Sequence, residues 1–238
     1  MPSPRRKPAT MPKWWLCMAA ERWSRLAVSL SLLLAFGCAT LRGGSVSPEL
    51  AAAAESGDAL VTADTLEALI ERGEDSRADR EFAYQAVVAS EEDTAAYAFA
   101  RASVTGRLVQ SRGLRGASQV GEVEKWALRS QTRDPEFRDG AATRLLGTLY
   151  VIAPATFLKH GDSELGLEML EQLAETHPDV PENQLRVAEA YIALGDVEPA
   201  GPYLCASLAQ RSALRRDDQE LLDQLVATAG TPDCQNPG

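Results

Sequence analysis

Beyond residue 60 the apolar positions recur every three or four residues, and no stretch alternates apolar and polar residues long enough for a strand. Broken by turn residues, this period predicts helices over about 62–72, 77–90, 93–110, 118–131, 137–153, 163–176, 182–194, 197–210 and 215–229. The separators include Gly73-Glu74-Asp75, Gly113 to Gly116, Asp134-Pro135, Gly161-Asp162, His177-Pro178-Asp179 and Gly195-Asp196. Asp134, Asp162 and Asp196 stand near expected helix starts, where a carboxylate accepts from free N–H groups and complements the helix dipole. Residues 39–48, ATLRGGSVSP, carry the Gly, Ser and Pro of a flexible tether. The expected organisation is therefore a leader over 1–37, Cys38 with a tether to about residue 60, a helical domain over 61–229 and a tail over 230–238.

The helical pattern contains a repeat. Gly161-Asp162 returns as Gly195-Asp196, 34 residues on, and the same offset carries Gly166 to Ala200, Met169 to Tyr203 and Leu170 to Leu204. Thirty-four residues is the tetratricopeptide period. Leu146-Gly147-x-x-Tyr150 and Val187-Ala188-x-x-Tyr191 fit the first helix of that repeat, Ala200-x-x-x-Leu204 fits the second, and Pro178 stands as its closing proline. Thr143 and Gln184 stand where the repeat usually has Trp. The expected fold is all-α: a tetratricopeptide-like solenoid of helical hairpins with a C-terminal capping helix. In that register Gly147 lets the partner helix approach near Gly166, so Gly147→Leu should overpack the contact and Gly147→Ala should be mild. Tyr150 is followed by Gly161 after 11 residues, whereas Tyr191 is followed by Gly195 after 4. Seven extra residues around Ala153-Pro154-Ala155-Thr156-Phe157 must therefore leave the helical path, because Pro154 removes a helix hydrogen bond.

Ahead of the domain, residues 26–36, LAVSLSLLLAF, form an uncharged apolar run too short to span a bilayer. It follows Arg5, Arg6, Lys7, Lys13, Arg22 and Arg25 and ends at Gly37-Cys38. A basic segment, an apolar core and a small residue at the cut describe a secretory signal peptide, initiated at Met1, Met11 or Met18. With Cys directly after Ala35-Phe36-Gly37, the segment resembles a bacterial lipobox. That resemblance implies a diacylglyceryl group on Cys38, cleavage before it, and periplasmic anchoring to a membrane. Ala39 in place of Asp is similar to the signal for the outer membrane.

Composition narrows the function classes. The 238 residues are 45% hydrophobic and only 6% aromatic, with 24 basic and 34 acidic groups. After residue 37 there are 18 basic against 33 acidic groups, a net charge of −15. Such a body lacks the clustered cations that nucleic-acid binding requires. Two His and four scattered Cys make no multi-ligand metal site, and no G-x-S-x-G, P-loop, H-E-x-x-H or C-x-x-C motif occurs, so neither an enzyme nor a cofactor is expected. His160 and His177 sit at helix boundaries, where His177 can complement a dipole. Trp126, spaced with Val123 and Ala127, reads as inter-repeat core, with a ligand platform as the alternative. Arg144, Arg186 and Glu189 lie on first helices and are the candidates for facing a concave groove, with surface ion pairs as the alternative. With Cys17 in the leader and Cys38 lipidated, Cys205 and Cys234 remain as a candidate disulfide in an oxidising compartment. The alternative is a buried free Cys205.

One stretch carries more than a period. Arg138-Asp139-Gly140-Ala141, Arg144-x-Leu146-Gly147-x-Leu149-Tyr150-x-x-Ala153-Pro154, Gly161-Asp162 and Pro178-x-x-Pro181-Glu182-Asn183-x-Leu185-x-x-Ala188-Glu189-Ala190 together resemble the TatT family, well over 137–205 and loosely over 60–210. Those proteins are tetratricopeptide lipoproteins associated with tripartite ATP-independent (TRAP) solute transport. The resemblance implies a protein partner in the periplasm, such as a transporter's solute-binding subunit, and a homo-oligomer. A carrier of a small hydrophobic or anionic ligand is the other class the sequence leaves open.

Overall fold

Short side-chain caps and turns divide the chain into helices. The computed structural model of the protein describes residues 45–90 and 92–234. Among these every regular element is helical: α1 (Pro48–Glu55), α2 (Ala59–Arg72), α3 (Arg77–Ala89), α4 (Ala95–Arg112), α5 (Val120–Arg133), α6 (Ala141–Ile152), α7 (Ser163–Thr176), α8 (Pro181–Leu194), α9 (Val197–Ala209) and α10 (Arg216–Ala229). Brief 3-10 turns lie at Gly113–Gln119, Ala155–Phe157 and Arg211–Ala213. Asp58, Thr94 and Asp162 accept hydrogen bonds from the first turns of α2, α4 and α7. Ser76 and Asp79 form a reciprocal capping box at α3, and Pro181 opens α8 with a preset φ.

The helices neighbour one another in space much as they do in sequence. α2 packs on α3, α4 on α5, α6 on α7 and α8 on α9, and the second helix of each pair packs on the first of the next. At one remove α2 meets α4, α6 meets α8, and α8 meets α10. The core is divided accordingly. Leu66, Val87, Tyr97 and Val104 gather in one cluster, and Ala127, Leu146 and Tyr150 in a second. Leu170 and Val187 belong to a third, and Leu185, Leu204 and Leu222 to a fourth. Two of the pairs related by the 34-residue offset share their burial: Gly166 and Ala200 are both buried, as are Leu170 and Leu204. α10 also touches α2, which brings the last helix back to the first half of the chain.

Three expectations change. The tether expected as far as residue 60 contains α1, whose Leu50 is fully buried. The buried Asp79 carboxylate, already bound to Ser76, also accepts from the Ser47 N–H at 2.6 Å and so docks the start of α1. Second, the helix expected from 137 begins at Ala141, and Asp134 ends α5 rather than opening α6. Arg138, Asp139 and Gly140 take φ values of 51°, 54° and 72°, a left-handed run that cannot join a right-handed helix. Both terminal nitrogens of Arg138 reach Asp64 on α2 at 2.6 Å. Third, the Gly147–Gly166 approach is present but closer than a mild alanine substitution allows. A Cβ on Gly147 would sit 2.9 Å from the Gly166 carbonyl oxygen and 2.7 Å from Leu170 Cγ. The obstacle is partly backbone, which cannot swing aside as a side chain can.

At the C-terminal end a disulfide joins Cys205 on α9 to Cys234 in the tail, with Cα atoms 5.4 Å apart. The leader over 1–37 and Cys38 lie outside the described residues.

Candidate functional site

Two collections of charged side chains differ in their consequences. The first is a seam where α10 meets α2, α4 and α8. Glu67 of α2 accepts from Arg107 Nε of α4 at 2.8 Å and lies 2.8 Å from Arg215, just ahead of α10. Asp217, in the first turn of α10, takes Arg107 and Arg215 at 3.0 Å each. Burial alone would raise the Glu67 carboxyl, but the hydrogen bond and charge of Arg107, with the charge of Arg215, hold it below the usual range. Asp217 is held low in the same way, its burial outweighed by Arg215 and Arg107.

The candidate groove residues are on this seam or beside it. Arg186 donates to Glu189 Oε2 at 2.8 Å and to the buried Asp218 of α10. Despite burial, the charges of Glu189 and Asp218 push the Arg186 guanidinium pKa up. Arg144 donates to Asn183 Oδ1 at 2.7 Å, and the fully buried Asn183 donates in turn to the His177 carbonyl oxygen at 3.1 Å. Burial pushes the Arg144 guanidinium down and the charge of Arg186 pushes the same way, with Glu182 opposing. Arg186 is thus engaged with both Glu189 and Asp218, and Arg144 with Asn183, in contacts that tie α8 to α10 and α6 to α8. His177 caps the C-terminus of α7, with Nε2 3.2 Å from Glu136 Oε2.

The second place is a cavity of about 520 Å³ between α4, the Gly113–Gln119 turn, α5 and the inserted segment after α6. Its lining includes Arg101, Ser118, Glu122, Lys125, Trp126, Phe157 and Lys159. Trp126 packs edge-on against Tyr97, centroids 5.5 Å apart, as the core reading expects. It also borders the cavity, with the Arg101, Lys125 and Arg129 cations 5.1–5.2 Å from its ring. Glu122 is engaged from two sides: Tyr84 Oη donates to it at 3.0 Å, and Arg101 donates from Nε at 3.1 Å and Nη2 at 2.6 Å.

The inserted segment is fixed from below by a side chain whose importance the sequence hides. Glu124, 1% exposed, accepts from the backbone N–H of Lys159 at 2.9 Å and of His160 at 2.8 Å. Burial first, and Glu124 second, raise the Tyr150 hydroxyl to about 12, so it stays protonated beside the carboxylate. A helical Glu followed by Lys reads as a solvated face. Only the fold reveals that it receives a loop 35 residues away.

Among the described residues no cluster of His, Cys, Asp or Glu could hold a metal ion, and no helix is long and apolar enough to cross a membrane. No protein-family model matches the chain, and no curated protein does.

Proposed function

We propose that the protein is a lipid-anchored periplasmic scaffold of tetratricopeptide-like helical hairpins, closed by a capping helix, that binds another protein rather than catalysing a reaction. The serial packing of α2/α3, α4/α5, α6/α7 and α8/α9, each pair stacked on the next, supports this reading. The lipobox-like Gly37-Cys38 and the TatT-like stretch over 137–205 supply the anchor and the class of partner: a solute-binding subunit of a TRAP-type transporter. Two or more acyl chains on Cys38 would hold the protein stably to a membrane, taken to be the outer one from Ala39.

In-cell crosslinking with mass spectrometry tests the proposal. A recurrent partner captured by the parent protein, and lost when Cys38→Ser blocks its processing and lipidation, is the expected result. Recovery of no partner would contradict it. A second reading, a carrier of a small hydrophobic or anionic ligand, is favoured by the Trp126-lined cavity with its two lysines.

A further inference from the structure

We infer that the cavity between α4, α5 and the inserted segment is a binding site for a phosphate-type oxyanion carried on an apolar body. This does not depend on the identity of any protein partner. The first observation is the distribution of cations. Lys125 and Lys159 are the lysines of the described residues, and both line this cavity. Neither ammonium is in an ion pair among the described residues. Every described Arg other than Arg115 and Arg144, by contrast, is within ion-pair distance of a carboxylate. In a body this acidic, two available ammonium groups on one cavity leave positive charge where an anion would reach it.

The second observation is that the site is built. The backbone of Lys159 is held by the buried Glu124 carboxylate, so the residue is positioned from the core although its side chain is exposed. Lys125 is on α5, one residue from that Glu and one from Trp126. The acidic groups facing the site are answered inside the protein: Glu122 by Arg101 and Tyr84, and Glu124 by two backbone amides and Tyr150. The local balance therefore remains positive.

The donor set selects the anion. A planar carboxylate is best held by the guanidinium fork of Arg, but the Arg101 fork is already directed at Glu122 and Tyr97. What remains are point-charge ammonium groups and the hydroxyls of Ser118 and Thr156, which suit a tetrahedral oxyanion with no preferred plane. Trp126 and Phe157, the latter 40% exposed at the rim, offer the surface for an apolar body. A soluble phosphate monoester and a phospholipid headgroup both have this chemistry.

The test uses the full chain carrying Cys38→Ser, so that no acyl anchor contributes. Calorimetric titration with phenyl phosphate, and co-sedimentation with phosphatidylglycerol or phosphatidylcholine vesicles, distinguish the two sources. Phenyl phosphate should bind more tightly than inorganic phosphate. Lys125→Ala/Lys159→Ala should weaken binding about tenfold or more, while Lys125→Arg/Lys159→Arg retains it. Binding to phosphatidylglycerol vesicles alone, lost in the alanine pair, would assign the site to a headgroup. No binding to either probe, binding unchanged in the alanine pair, or benzoate bound as tightly as phenyl phosphate would overturn the inference. Both lysines are exposed, so unchanged thermal melting should show that the alanine pair is folded.

Discussion

The seam at α10 and the cavity at α5 use similar side chains to opposite ends. On the seam, Arg107, Arg186 and Arg215 from different elements converge on Glu67, Asp217 and Asp218, and their charge is consumed in holding α10 against α2, α4 and α8. At the cavity, Arg101 is consumed by Glu122, while the two lysines are exposed and enter no ion pair among the described residues. A cation count would rank the seam as the richer binding surface. Partner geometry reverses that order, because a guanidinium already bonded to a buried carboxylate can take a ligand only by leaving that carboxylate unpaired.

The largest effect should come from breaking the seam at its most buried pair. Arg186→Met leaves Asp218 without its cation and should destabilise the fold by about 3–5 kcal/mol in urea melts. Arg144→Met, which strips only a neutral Asn183 acceptor, should cost much less. Equal losses would erase the distinction between a charge-paired and an amide-paired arginine.

The next effect concerns the covalent tie at the same end. Cys205→Ser opens a bridge spanning 29 residues of sequence and should lower stability by about 2–4 kcal/mol, with the loss abolished when both proteins are reduced. Gly147→Ala, in the contact between α6 and α7, should cost about 1–3 kcal/mol while leaving phosphate binding at the cavity unchanged.

Acid separates the regions in another way. The Glu67 and Asp217 carboxyls are lower when folded than their ordinary values of 4.5 and 3.8. Their stabilisation is therefore complete above those values and is lost as pH falls through the depressed folded ones. Stability should decline below about pH 4.5, and Glu67→Gln should flatten that decline, as measured by urea melts across pH. The smallest effect is expected from Lys125→Ala/Lys159→Ala, within about 0.5 kcal/mol of the parent, because neither ammonium is in an ion pair among the described residues.

Much of the helical layout is legible in the sequence because its boundaries are local. Asp58, Ser76, Thr94, Asp162 and Pro181 mark starts, and Gly73 and Gly195 mark stops, each by its own backbone or capping chemistry. α1 is hidden by the preceding Gly-Gly-Ser, although Pro48 is itself a helix-opening signal. What secures α1 is Asp79, 32 residues from Ser47. The late start of α6 is hidden for a similar reason, since Arg138 reaches Asp64 74 residues away. Both charged regions belong to this nonlocal class. Arg186 on α8 looks like a groove residue until α10 arrives with Asp218. Lys159 looks like loop decoration until Glu124 fixes its backbone and Lys125 shares its cavity.

Hydrogen–deuterium exchange with and without phenyl phosphate probes both regions of the full chain at once. An available cavity and a self-satisfied seam together require slowed exchange over 117–126 and 155–160, with residues 216–229 unchanged. Protection that appears instead at 216–229, or nowhere, would contradict the division of labour between them.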